Sequence, residues 1–125
     1  MDRLHFTKME GTGNDFIVVN GLRRETASVV RQAKILCDRR FGIGADQLLL
    51  ILPSKKADFR MEIINADGSE VEMCGNGVRC FAKYCIDHGL FAGDSMAVET
   101  PAGIIRPTVT KNGVTVDMGR PVLNG

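Results

Sequence analysis

The stretch from Asn65 to Gly89, NADGSEVEMCGNGVRCFAKYCIDHG, constrains the fold more than any other, because it carries the chain from a strand end through a reversal into an amphipathic helix. Arg60 to Ile64 is a β-prone run ending at Asn65, and Asp67-Gly68 supplies a turn. A short extended piece leads into Cys74-Gly75-Asn76-Gly77. From Val78 onward, Val78, Phe81, Ala82, Cys85 and Ile86 recur at the spacing of one helix face, Arg79, Lys83 and Asp87 take the opposite face, and Gly89 is a stop signal. A cysteine therefore stands at the mouth of a helix.

The first turn of a helix has backbone N–H groups without intrahelical partners and a partial positive charge of roughly half a unit. Gly75 and Gly77 have no Cβ, so a ligand carboxylate could approach their backbone closely. The same field favours thiolate over thiol at Cys74. Together these features offer a carboxylate cradle with a basic sulfur beside it. The competing reading makes Cys74 a small buried apolar residue in a glycine-bearing loop. Cys37, Cys80 and Cys85 fall at core or neutral helix positions, and Cys74 does not.

With 125 residues the chain suffices for one core and is too short for two ordinary domains. Its 16 basic and 15 acidic residues are interspersed and leave a formal charge of +1, so there is no electrostatic footprint for nucleic acid or an anionic membrane, and a small, roughly neutral ligand fits better. The longest apolar run, Leu48 to Leu52, is strand-sized, and the N-terminus has no apolar signal region. Four cysteines in such a chain imply free thiols in a reducing, cytoplasmic compartment. No Cys/His spacing suggests a metal site, and His5 and His88 read as surface or satisfied residues.

Leu4 to Met9 reads as a first strand with Leu4 and Phe6 on one face, Gly11 to Asp15 as a turn, and Phe16 to Asn20 as a second strand pairing with the first. GTGND lacks the Lys-Ser/Thr ending of a phosphate loop and runs into a strand. Asn14, at the loop tip, carries an amide that can both accept from and donate to a zwitterionic amino acid. Residues 28–41 read as a helix with Val29, Val30, Ala33, Leu36, Cys37 and Phe41 as its stripe, Thr26 or Ser28 as its cap, and Arg39-Arg40 suited to its negative end. Gln47 begins the buried strand 48–52 as either a ligand-facing residue or a polar strand edge. Phe59 to Ile64 delivers Asn65, which needs a buried or ligand partner. The tail reads as strands 95–100, 103–111 and 114–118, with Asn112-Gly113 as a type I′ hairpin turn.

FTKMEGTGNDFIVV, GIGADQLLL, NADGSEVEMCGNGVRC and VDMGRP, spread from about Phe6 to Pro121, resemble the N-terminal half of the diaminopimelate epimerase family, within a wider group that includes proline racemases. The resemblance implies an α/β fold of α+β type, a mixed, largely antiparallel sheet wrapped around a central helix, forming one half of a two-domain enzyme. Residues 1–118 would be the N-terminal domain, and 119–125 the hinge to a second domain absent from this chain.

The resemblance further implies cofactor-independent conversion of LL- to meso-diaminopimelate, for lysine and peptidoglycan precursors, by two cysteines acting on opposite faces of the α-carbon. Cys74 would be one of them, with Asn14, Gln47 and Asn65 contacting substrate and Gly75 and Asn76 donating to the reacting carboxylate. No metal or cofactor is implied. Preorganised N–H donors suit such chemistry because deprotonation builds enediolate-like charge on the carboxylate.

Glu10 departs from the family, which commonly has histidine there. The second cysteine would come after Gly125, so the chain alone is expected not to epimerise. In the family the chain returns at its end to complete the first domain, so an exposed edge and self-association, as in a homodimer, are expected. The alternatives are a non-catalytic amino-acid-binding or dimerising half-domain, a related isomerase with another substrate, and, last, a redox thiol protein, for which Cys80 is poorly placed as a resolving cysteine.

Overall fold

The computed structural model of the chain describes residues 4–11, 13–72, 74–111 and 113–117. In order, the elements are β1 (Thr7–Gly11), β2 (Asn14–Asn20), α1 (Ala27–Arg31), α2 (Ala33–Cys37), β3 (Gln47–Leu52), β4 (Phe59–Asn65), β5 (Glu70–Val71), α3 (Gly75–Asp87), β6 (Val98–Thr100), β7 (Gly103–Thr110) and β8 (Gly113–Asp117). The expected hinge, 119–125, lies outside the described residues.

Among the described residues the strands join in the order β1-β2-β3-β4-β6-β7-β8, with β5 on β4. The pairs β2/β3 and β4/β6 are parallel and the others antiparallel. A parallel pair needs a crossover. Helices α1 and α2 make the first and α3 makes the second, on opposite faces of the sheet. Phe16, Val18, Leu49, Ile51 and Ile63 pack with Val78, Phe81, Ala82 and Cys85 of α3. Ile17, Val19, Leu48, Leu50 and Ile64 pack with Val29, Ala33 and Cys37 on the other face. Covered on both sides, β3 is apolar from Leu48 to Ile51 instead of alternating.

Helix α3 touches β1, β2, β3, β7 and β8, so the largely antiparallel sheet curls around it. Its apolar stripe widens to include Cys80 and Tyr84, both buried. Phe81 is fully buried and meets Phe59 edge-on at 6.0 Å, a burial that stabilises by roughly 1.5–3 kcal/mol. Arg79, Lys83 and Asp87 stay exposed, and Lys83 pairs with Asp87 at 3.1 Å.

Several expected boundaries shift. Residues 28–41 are not one helix: Gln32, at φ −98 and ψ 12, separates α1 from α2, and the helical run ends at Cys37. Asp38 is extended and its carboxylate accepts the N–H groups of Arg40 and Phe41 at 2.8 and 2.9 Å, so a side-chain turn replaces the helical ladder. Phe41 is therefore 83% exposed instead of completing the stripe. Thr26 is the N-cap of α1 without a side-chain cap bond.

The first strand runs from Thr7, where pairing with Val18 begins, and Phe6 is exposed while Leu4 packs against the α1/α2 core. Gly113 is already paired with Thr110, so the last strand begins one residue earlier than expected, and Asn112 and Met118 lie outside the described residues. Helix α3 starts at Gly75, three residues before its first stripe residue.

Candidate functional site

Cys74 is the N-cap of α3, extended at φ −150 and ψ 111, with no side-chain cap bond. The Val78 N–H donates to the Cys74 carbonyl at 3.0 Å, and the N–H groups of Gly75 and Gly77 precede that first intrahelical bond. Cys74 is partly buried against the α3-side core, while Cys37, Cys80 and Cys85 are buried; all four are free thiols. Burial pushes the Cys37 and Cys80 thiols up, and Cys85 to about 12.

The two glycines of the first turn have different surroundings. A Cβ on Gly75 would meet open space, whereas one on Gly77 would come 2.5 Å from Cδ1 of the buried Ile63. Gly75 leaves its backbone approachable to a ligand. Gly77 instead lets the helix start lie against β4, a correction to its expected role.

Asn14, Gln47 and Asn65 gather at the end of the sheet where α3 begins. Parallel pairing sets Phe16 opposite Gln47, and antiparallel pairing sets Gln47 opposite Asn65. Gln47 Nε2 donates to Asn65 Oδ1 at 2.9 Å, and Asn65 Nδ2 donates to Ser69 Oγ at 3.0 Å. Ser69 Oγ donates to Asp67 at 2.6 Å across the turn that Gly68 closes with φ +93. Gln47 Oε1 is buried without a hydrogen-bond partner. Asn76 Nδ2 donates to Asn14 Oδ1 at 3.1 Å, joining the β1–β2 hairpin to the helix start. Gly11 permits this approach, since a Cβ there would lie 3.1 Å from Asn76 Cβ. These uncharged amides can donate and accept beside a thiol, a set suited to a zwitterion.

One cluster escaped sequence reasoning. Arg39, expected at a helix end, forks onto Asp15 at 3.0 and 2.8 Å and reaches Asp46 at 2.9 Å. The Asp15 N–H donates to the Asp46 carboxylate at 3.1 Å, and the Asp46 N–H donates to that of Asp15 at 2.8 Å. Lys8 donates to Asp15 at 3.3 Å and to the Gly44 carbonyl. The Arg39 hydrogen bonds hold the Asp15 carboxyl well below the usual carboxylate range. Its available sequence signal was an acid next to each candidate amide, in Asn14-Asp15 and Asp46-Gln47.

A cavity of about 290 Å³ is lined by Glu10, Gly13, Asn14, Asp15, Arg39 and Asp46. A larger one, about 730 Å³, is lined by residues including His5, Arg23, Tyr84 and His88, the last two at the far end of α3 from Cys74. The His88 ring stacks on Tyr84 at 3.9 Å, with Nδ1 3.0 Å from the Tyr84 carbonyl, so it is a satisfied residue. Among the described residues no group of three or more His, Cys, Asp or Glu could hold a metal, and no helix is long and apolar enough to cross a membrane.

The family model for diaminopimelate epimerase matches residues 6–124. A diaminopimelate epimerase of Carboxydothermus hydrogenoformans is 54% identical over 124 residues, covering 96% of this chain and 45% of the relative. That of Moorella thermoacetica is 52% identical over 126 residues, with the same shares covered. The chain thus spans about half the length of these relatives. Among solved structures, a probable proline racemase from Agrobacterium radiobacter matches 93% of this chain and 42% of its own, with TM-score 0.74 and 16% identity. A hydroxyproline epimerase from Agrobacterium vitis, with trans-4-hydroxy-L-proline bound, matches 90% of this chain and 40% of its own, with TM-score 0.69 and 16% identity. At that identity the two share its fold.

Proposed function

The chain belongs to the diaminopimelate epimerase family, and from that premise we propose that it forms one arm of a two-base epimerase acting on LL- and meso-diaminopimelate. The observation that supports this best is the convergence, at one end of the sheet, of the partly exposed Cys74 at the mouth of α3 with the amides of Asn14, Gln47 and Asn65. The substrate carboxylate is received at the backbone of Gly75 and Asn76, where the partial positive charge of the helix start opposes the charge that grows on its oxygens. The three amides hold the rest of the zwitterion.

The Cys74 thiolate takes the α-proton and becomes a thiol, and the C–H electron pair moves into the carboxylate as an enediolate. A second thiol, supplied from outside these 125 residues, returns a proton to the opposite face and is left as a thiolate. Inversion needs both faces, so Cys74 alone can only exchange the α-proton with retention. The hinge at 119–125 and a second domain complete the enzyme in this reading, and four free thiols support a reducing cytoplasm.

Proton NMR of LL-diaminopimelate in D2O tests the proposal. This chain alone is expected to form no meso isomer, whereas adding a separately made C-terminal half of the Carboxydothermus hydrogenoformans relative is expected to start turnover, and Cys74→Ala to abolish it. Full turnover by the chain alone, or by the Cys74→Ala pair, overturns the assignment.

The sheet order supports a second feature. β1 and β8 each have a strand neighbour on one side among the described residues, and such edges invite a further strand or a second copy. Self-association of the chain alone, lost on adding the C-terminal half, is the expected result in sedimentation.

A further inference from the structure

We propose that Arg39, acting through Asp15 and Asp46, is a positioning residue that sets Asn14 and Gln47 for the ligand, an inference that rests on the functional reading above. Asp15 directly follows Asn14, and Asp46 directly precedes Gln47. The β2/β3 pairing begins at Phe16 and Gln47, so Asn14 projects beyond the end of the ladder on that side. Beyond it the backbone tie between the two strands is the Asp46 N–H bond to the Asp15 carbonyl at 3.2 Å, and the two acids add to it. Each gives its N–H to the other's carboxylate, and Arg39 spans both. Lys8 brings in β1, the strand that pairs Gly11 with Asn14. The starts of β2 and β3 are thereby tied to each other beside the two amides, and the Lys8 side chain links them to β1.

Geometry and charge both favour positioning over attraction. The four side chains Lys8, Arg39, Asp15 and Asp46 sum to no net charge, so the cluster offers a zwitterion no net pull. A guanidinium fork onto a carboxylate instead defines direction as well as distance. The Arg39 side chain is 59% exposed and that of Asp15 only 19%, so Arg39 contributes little to the core while holding a largely covered carboxylate in place. A purely structural role would appear as lost stability with ligand binding unchanged. A positioning role appears as weaker binding, because amides that hold the unreacting part of a substrate bind ground and transition states alike.

The experiment uses the chain combined with the C-terminal half, comparing Arg39→Ala and Arg39→Lys with the unsubstituted pair. Arg39→Ala is expected to raise KM about tenfold with kcat nearly unchanged. Arg39→Lys keeps the charge without the fork and is expected to fall between. A lowered Tm with unchanged KM, or a loss confined to kcat, overturns the inference.

No turnover in the unsubstituted pair counts against the functional reading instead, and a ligand-free measurement then decides the inference. In the chain alone, Arg39→Ala is expected to shift or broaden the side-chain amide NMR signals of Asn14 and Gln47. Unmoved signals overturn it whether or not the pair is active.

Discussion

Gly75→Ala and Gly77→Ala, two residues apart in one helix turn, are expected to act in opposite directions. Neither glycine has positive φ, so alanine fits the backbone at both, and helix propensity alone favours each change by up to about 1 kcal/mol. At Gly75 the new methyl meets open space, so the fold should be unchanged or slightly more stable. At Gly77 it would stand 2.5 Å from Ile63 Cδ1, with Leu49 Cδ1 and Cys74 Cβ each at 3.6 Å. Ile63 and Leu49 are buried, so the space must come from moving the helix start or an Ile63 rotamer, which costs roughly 1–3 kcal/mol. The net expectation for Gly77→Ala is a loss of about 1 kcal/mol, a fall in Tm of roughly 4 °C for a chain of this size. Circular dichroism melts of the chain measure this, and isothermal titration with diaminopimelate measures the other half. On the proposed reading, in which a ligand carboxylate reaches the α3 start, Gly75→Ala should weaken binding despite its intact fold, because its methyl would stand in the open space beside that backbone. Equal melting losses for the two variants would refute the separation of packing from ligand approach, and so would unweakened binding by Gly75→Ala.

Iodoacetamide at pH 8 should label Cys74 ahead of the other three cysteines, since Cys37, Cys80 and Cys85 are buried with raised thiol pKa values; mass spectrometry of tryptic peptides reads the order, and early labelling of Cys85 would contradict the packing of α3. Asp15, depressed chiefly by Arg39, contributes stability that is present above its unfolded pKa of about 3.9 and is lost as pH falls through the lower folded value. The gap in urea midpoint between the unsubstituted chain and Arg39→Ala should therefore be full at pH 7 and narrower at pH 3, and a constant gap would show that Asp15 is not the group involved.

The parts of the fold legible in the sequence are those where one pattern has one physical solution. Val78, Phe81, Ala82 and Cys85 can share a face only on a helix, and Leu48 to Ile51 can be apolar throughout only between two covered faces. The sheet's curl around α3 followed from family resemblance, not from periodicity. Residues 28–41 misled because the apolar spacing continues to Phe41, while Asp38 offers its carboxylate to the next N–H groups and ends the helix. A local hydrogen bond outweighed a periodic pattern whose last member had no core to enter.

The same limit explains the site. Cys74 and its glycines are contiguous, so their chemistry can be read along the chain, and the difference between Gly75 and Gly77 cannot, since it depends on Ile63 from β4. Arg39, Asp15 and Asp46 come from a helix-following turn and two strand starts, and only the parallel pairing of β2 with β3 brings them together. That pairing exists because α1 and α2 cross over the sheet and return the chain in the same direction. Both parallel pairs arise this way, and the α3 crossover delivers Cys74 to the same end of the sheet at which β2 and β3 begin. The crossovers thus place a helix start and two strand starts side by side, so the first-turn N–H groups of α3 stand at the same end of the sheet as the side-chain amides of Asn14 and Gln47.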